Sequence, residues 1–295
     1  MRPADAHRAY GIAPPGYQLP GGTRLGRVSL QVSDHERSLA YYRDLLGLQV
    51  VRQDISSAHL AVHDAGDHLI ELHHERGTRP VPRGGTLGLY HFAILLPPRT
   101  ALCQFVRHLV AAHVQFGAAD HLVSEAIYLW DPDGLGIEVY ADRPREAWQT
   151  HGRELRMTTE RLDLRSLMDD AGLDAWNGMP AGTTMGHMHL SAGDLDAARS
   201  LYHEGLGLDL TVWSYPGALF LSAGGYHHHL GTNTWALGAR TPTESDARLL
   251  EWELVLPSQA DIDAAAASVR AAGHDAQAGL ITDPWGTSLR LRAAS

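Results

Sequence analysis

The sequence predicts an α+β fold, four βαβββ modules forming two curved-sheet, barrel-like clefts. Three observations predict it. The string "RVSLQVSDHERSLAYYRDLLGL" from Arg27 returns 160 residues later as "HMHLSAGDLDAARSLYHEGLGL" from His187. At the same offset, "HFAILLPP" from His91 returns as "EWELVLPS" from Glu251, so one half of the chain copies the other. Each half also holds two segments with one grammar: an alternating apolar strand, an amphipathic helix, then short strands, the last rich in polar side chains.

In the first segment Leu25 to Val32 reads as a strand, Asp34 as a helix cap, and Leu39, Tyr42 and Leu46 as the buried stripe that Gly47 terminates. The third segment repeats this with Asp194, Leu201, Tyr202 and Gly207. The second and fourth segments place Pro97 and Pro257 after the first strand, with helices expected at about 99–113 and 259–272. They end in "WDPDGLGIEVY" and "TDPWGTSLRLR", where Asp-Pro-x-Gly turns tightly into a final strand. The expected boundaries are a tail at 1–24, modules 1 and 2 at 25–141, a linker at 142–184 with one short helix near Leu164 to Asp170, and modules 3 and 4 at 185–295.

A chain of 295 residues, 44% hydrophobic and 20% charged, suits two folded domains with proper cores. The net charge of −10, from 24 Lys+Arg against 34 Asp+Glu, argues against nucleic acid or an anionic membrane and for a small-molecule partner. Cys103 is the single cysteine, so no intramolecular disulfide is expected. No apolar run has signal-peptide or membrane-span character, and a cytoplasmic protein is expected.

Metal-capable residues fall unevenly on the copies: His91 and His187 stand where the other copies have Glu251 and Arg27, and Glu138 where the other has Arg290. Because a strand alternates faces, His91, His187 and Glu138 converge only if the second and third segments share one curved sheet. Two imidazoles and one carboxylate form the facial triad suited to Fe(II) with open positions, and Mn(II) suits it too. A lone histidine in "LYHFAILL" is more often a hydrogen-bonded core residue, but the matching His187 favours a site. A buried, unpaired Glu138 would be costly, so a metal or an arginine is expected beside it. His189 shares the face of His187 and is its rival. His229, read as the repeat-equivalent of Glu138, could be a fourth ligand, and strand alternation turns at least one of His227, His228 and His229 inward. His63, His73 and His74 lack a partner constellation and read as solvent-facing, Asp131 and Gly134 as turn residues, Cys103 as core, and Trp130 and Trp213 as candidate pocket walls.

The strand start "GHMHL" at Gly186 to Leu190, together with "DLDAARSLYHEGLGL" and "DPDGLGIEVY", resembles the vicinal oxygen chelate superfamily of glyoxalases, type I extradiol dioxygenases, fosfomycin-resistance enzymes and bleomycin-binding proteins. The longer strings "GLYHFAILLP", "VSEAIYLWDPDGLGIEVYADRPREAW" and "SAGGYHHHLGTNTW" resemble the bacillus-type catechol 2,3-dioxygenase subfamily. That resemblance implies Fe(II), a small aromatic diol and O2, and ring opening beside the diol. It makes His187, His91 and Glu138 the ligands, Tyr128 an active-site tyrosine, and His228 the acid–base histidine, a role that a one-residue slip gives to His229. Usual extradiol enzymes carry all three ligands in the C-terminal half, whereas here segment four has Glu251 and Arg290. Modules 2 and 3 are therefore expected to pair into the active cleft and modules 1 and 4 into the other. The second cleft is expected to be metal-free, with Arg27, Glu71, Glu251 and Arg290 neutralising one another. Two alternatives are carried: a glyoxalase-type isomerase or thiol transferase, and a drug-binding protein without catalysis. A homo-oligomer is compatible with the sequence.

Overall fold

The computed structural model describes residues 10–63, 67–169 and 174–294. Module 1 runs β1 (Arg24–Val32), α1 (His35–Ala40), β2 (Gln49–Gln53), β3 (Ser57–Ala61) and β4 (His68–His74). Module 2 runs β5 (Gly88–Leu95), α2 (Arg99–Ala111), β6 (Gly117–Asp120), β7 (Ser124–Trp130) and β8 (Gly136–Asp142). A hairpin of β9 (Thr150–His151) and β10 (Glu154–Leu155) follows, then α3 (Leu164–Asp169). The expected helix near Leu164 to Asp170 falls on α3, with Asp170 itself outside the described residues. Module 3 comprises β11 (Thr184–Ser191), α4 (Leu195–Ala198), β12 (Asp209–Val212), β13 (Ala218–Ser222) and β14 (Leu230–Asn233). Module 4 comprises β15 (Arg248–Leu256), α5 (Gln259–Ala271), β16 (Ala276–Gln277), β17 (Leu280–Thr282) and β18 (Ser288–Ala293).

The modules pair as the uneven ligand distribution requires. One eight-stranded sheet has the order β12-β13-β14-β11-β5-β8-β7-β6, joining modules 3 and 2. The other has the order β16-β17-β18-β15-β1-β4-β3-β2, joining modules 4 and 1. In each, the two first strands meet antiparallel at the centre and each is flanked by the parallel last strand of its own module. Among the described residues no helix is long and apolar enough to cross a membrane.

Asp34 and Asp194 cap their helices by accepting the Arg37 and Ala197 backbone N–H groups at 3.0 and 2.7 Å. Both helices then widen into a π-turn, at Tyr41–Leu45 and Arg199–Gly205, which the apolar spacing does not reveal. Gly47 and Gly207 follow at φ +81° and +94°, so the expected stops hold because only glycine adopts that backbone cheaply. Leu39, Tyr42 and Leu46 are all buried.

Two tyrosines on these helices stitch the halves together. The Tyr42 hydroxyl donates to Asp131 Oδ2 at 3.0 Å, reaching from module 1 into the turn of module 2. Its repeat counterpart Tyr202 donates to Asp283 at 3.1 Å, reaching from module 3 into module 4. Sheets tie modules across the halves and these contacts tie them within each half, so all four interlock. Asp131 also accepts the Asp133 and Leu135 N–H groups at 2.9 and 2.8 Å, so it does more than shape its turn.

Candidate metal centre

Register builds the site. β11 pairs with β5 so that His187 lies opposite Ala93, and β5 pairs with β8 so that Ala93 lies beside Glu138. The row His187, Ala93, Glu138 crosses three strands, and β7 extends it to Tyr128. Adjacent strands are about 4.8 Å apart, so His187 and Glu138 start two spacings from each other. The central residue contributes only a methyl group, and the flanking side chains close over it until His187 Nε2 is 3.2 Å from Glu138 Oε2. His91, one row back on β5, brings its Nε2 to 3.0 Å from the same oxygen. Gly136 lies against His91, and a Cβ there would stand 2.0 Å from the Tyr90 carbonyl, so any larger residue would push this row apart.

All three side chains are buried, at 4% for His91, 2% for Glu138 and 1% for His187. Such a group must be paired or hold an ion. Glu138 Oε1 has no hydrogen-bond partner among the described residues, and the two imidazoles and the carboxylate bring one ligand atom each within 4.8 Å of one another. Electrostatics set the protonation that a cation needs. Burial works to raise the Glu138 carboxyl, but the His187 and His91 imidazoles outweigh it and hold it well below its usual range. Burial lowers His187 to about 4 against the opposing pull of Glu138. Two imidazoles beside a carboxylate are a donor set that a divalent transition metal binds, so these residues fit such an ion.

Around this centre lies a cavity of about 340 Å³. Tyr90, Tyr215, Phe220, Trp235 and Met157 give it an apolar wall, and Trp130 lines it as expected. Trp213 does not line it and packs against the core. The spacing of polar residues gave no signal for Trp235 or Tyr215, because both lie on loops outside the repeat strings. Among the described residues, no arginine or lysine lines this cavity.

Tyr128 faces the centre from β7, and burial, then Glu138, pushes its hydroxyl well above the usual phenol range. Its partner is a residue the sequence reading passed over. His121 Nδ1 lies 2.7 Å from the Thr158 carbonyl and His121 Nε2 lies 2.6 Å from the Tyr128 hydroxyl. A carbonyl only accepts, so Nδ1 carries the proton and Nε2 accepts from Tyr128. The Tyr128 oxygen therefore keeps its lone pairs for the cavity.

The histidine tract divides cleanly. His228 lines the cavity with its ring centroid 4.0 Å from that of His187. His229 turns away, its Nδ1 accepting the Ala223 N–H at 3.1 Å with the Ser222 hydroxyl 3.2 Å off. Burial, then His227, lowers His229 to about 3. His229 is also not the repeat-equivalent of Glu138. In module 3, His189 of β11 pairs with Gly231 of β14, as Ala93 pairs with Glu138 in module 2, so that position is Gly231 and offers no donor. His189, the rival ligand, packs against Gly231 with its ring centroid 4.9 Å from that of His91 and joins the cavity wall.

At the equivalent positions of the other sheet, charges pair. Arg27 lies 3.2 Å from Glu71, and Arg290 lies 2.8 Å from Glu251. Glu253, 1% exposed, joins them between Arg27 at 3.1 Å and Arg292 at 3.4 Å. His73 is not simply solvent-facing: its Nε2 sits 3.5 Å from Glu71, and His68 sits 2.7 Å from it. His59, His68 and Glu71 form a second cluster of possible metal donors, and there Arg27 Nε lies 3.2 Å from Glu71 Oε1.

The profile of the Glyoxalase/Bleomycin resistance protein/Dioxygenase superfamily matches residues 24–139 and 184–289. The chain is 41% identical over 257 residues to a catechol-2,3-dioxygenase of Bacillus subtilis (strain 168), covering 85% of this chain and 89% of that one. Among solved structures it superposes on a Bacillus subtilis subsp. subtilis str. 168 protein solved under a provisional dioxygenase name, with a TM-score of 0.61 at 13% identity, covering 94% of this chain and 86% of that one. A Zea mays glyoxalase I mutant superposes with a TM-score of 0.57 at 15% identity, covering 92% and 94%. At such identities the structural matches speak for the fold alone.

Proposed function

The chain belongs to the Glyoxalase/Bleomycin resistance protein/Dioxygenase superfamily, and within it we propose a metal-dependent extradiol ring-cleaving dioxygenase that opens catechol or a related catecholic compound with O2. The single observation that carries this reading is the convergence of two imidazoles and one carboxylate, His91, His187 and Glu138, in the lining of a largely apolar cavity. A ferrous ion, or manganese, would be held by these three. When bound, it would supply Lewis acidity toward both diol oxygens and an electron path between ring and dioxygen.

The chain's own residues supply the rest. The aromatic wall takes the ring and excludes water, and the lack of a lining arginine or lysine among the described residues favours a diol without a carboxylate group. His228, neutral because burial and then His187 hold it well below its usual range, stands where it can take a proton from one ring hydroxyl. Tyr128, its orientation fixed by donating to His121, would accept a hydrogen bond from the other diol hydroxyl.

The glyoxalase-type alternative needs a fourth protein ligand, and His229 is turned away from the cavity. The experiment is oxygen uptake by protein reconstituted anaerobically with ferrous iron. The proposal expects catechol to turn yellow with equimolar loss of O2. Turnover of a hemithioacetal without oxygen would favour the isomerase, and binding of an aromatic compound without turnover would favour the drug-binding alternative; either overturns the proposal.

A further inference from the structure

We infer that Asp142 and His227 are positioning residues that fix the tautomer of His228 and present its unprotonated Nε2 to the cavity. This rests on the reading of His228 as proton acceptor. His227 Nε2 lies 2.9 Å from Asp142 Oδ1, and His227 Nδ1 lies 2.7 Å from His228 Nδ1. A carboxylate has no proton to give, so His227 donates from Nε2. A neutral imidazole carries one N–H, which leaves His227 Nδ1 as an acceptor. The contact between the two Nδ1 atoms therefore requires His228 to donate, and the other nitrogen of His228 is left bare.

The surroundings hold this order. His227 is fully buried under the Tyr226 ring, 4.0 Å between centroids, which holds its ring in place. Thr211 donates to the His227 carbonyl at 2.7 Å and fixes the backbone. The Tyr226 hydroxyl donates to Asp142 Oδ1 at 3.2 Å and stands 2.6 Å from the Tyr140 hydroxyl. Glu138, Tyr140 and Asp142 alternate on β8 and so share one face. The strand that carries the carboxylate ligand thus also anchors the histidine that faces the substrate, and an unanchored His228 would spend part of its time with the proton on the wrong nitrogen.

The test uses full-length protein loaded with ferrous iron and catechol as substrate. Asp142→Asn keeps the shape but offers an amide that can donate, which reverses the chain. The expected result is a fall in kcat of about 10- to 100-fold, the usual size for an outer partner of such a site, with KM changed less than about threefold and iron content unchanged. His227→Gln can still donate to Asp142 and accept from His228, and it should exceed His227→Phe at least about tenfold in kcat, as expected for a retained hydrogen bond to the reacting group. Nitrogen-15 NMR of the metal-free protein should show His228 protonated at Nδ1 in the wild type and at Nε2 in Asp142→Asn. Wild-type kcat in Asp142→Asn, or Nε2 protonation of His228 in the wild type, overturns the inference. A wild type that cleaves no catechol overturns the dioxygenase reading instead, and the NMR comparison still decides the tautomer.

Discussion

His187 Nε2 and Glu138 Oε2 stand 3.2 Å apart although they belong to different modules and to strands that do not touch. The contact exists because Ala93 on the intervening strand is small. Ala93→Leu is therefore expected to lift one partner off the other and lower catechol turnover at least about tenfold, by displacing groups whose placement matters at the ångström scale. Oxygen uptake beside a thermal melt checks this, since a loss of turnover that merely follows unfolding would contradict it.

His121 holds the Tyr128 hydroxyl from behind, its Nε2 lying 2.6 Å from that oxygen. Tyr128→Phe and His121→Leu should each lower kcat by about 10- to 100-fold, as for a hydrogen bond to a charged group. The double variant should fall no further than the worse single one, because residues acting as a unit are not additive. A double-variant loss equal to the product of the singles would show that His121 has a separate role.

In the second sheet, Glu253 is buried between two half-exposed arginines. Removing both, as Arg27→Met with Arg292→Met, leaves an uncompensated carboxylate and should cost about 3–5 kcal/mol in urea unfolding. Either single variant leaves one partner and should cost less than half of that. Equal costs for the singles and the double would refute the pairing.

Asp131 should give the fold a pH dependence. Burial, against the Leu135 N–H, raises its carboxyl to about 7 in the folded protein, compared with roughly 3.9 when unfolded. The native state then holds the extra proton between those values. Its contribution is full below the unfolded value, declines as pH rises and is gone above about pH 7. Urea midpoints should fall from pH 5 to pH 8 in the wild type, and the part due to this group should vanish in Asp131→Asn. An identical slope in the two proteins would assign the effect elsewhere.

Much of this was legible in the sequence because the repeat supplied a control. Arg27, Glu251 and Arg290 marked the positions where His187, His91 and Glu138 differ, and that contrast forced modules 2 and 3 into one sheet. Strand alternation alone could not order the tract His227 to His229, since the three sit in a loop before β14 and alternation does not apply there. The same loop misled the register, placing His229 where the ladder has Gly231. His121 stayed hidden because its role depends on the Thr158 carbonyl, which lies in the linker outside any repeat. His59, His68 and Glu253 were missed for a simpler reason: they gain meaning only when strands distant in sequence bring them onto charged neighbours.

The central claim is that one cation sits among His91, Glu138 and His187, and anaerobic equilibrium binding of Fe(II) to metal-free protein tests it most directly. The expected result is one ion per chain, lost in His91→Ala and in His187→Ala while both variants keep the wild-type melting profile. Full binding in those variants, with loss of iron in His59→Ala or His68→Ala instead, would place the ion in the other sheet and contradict the account.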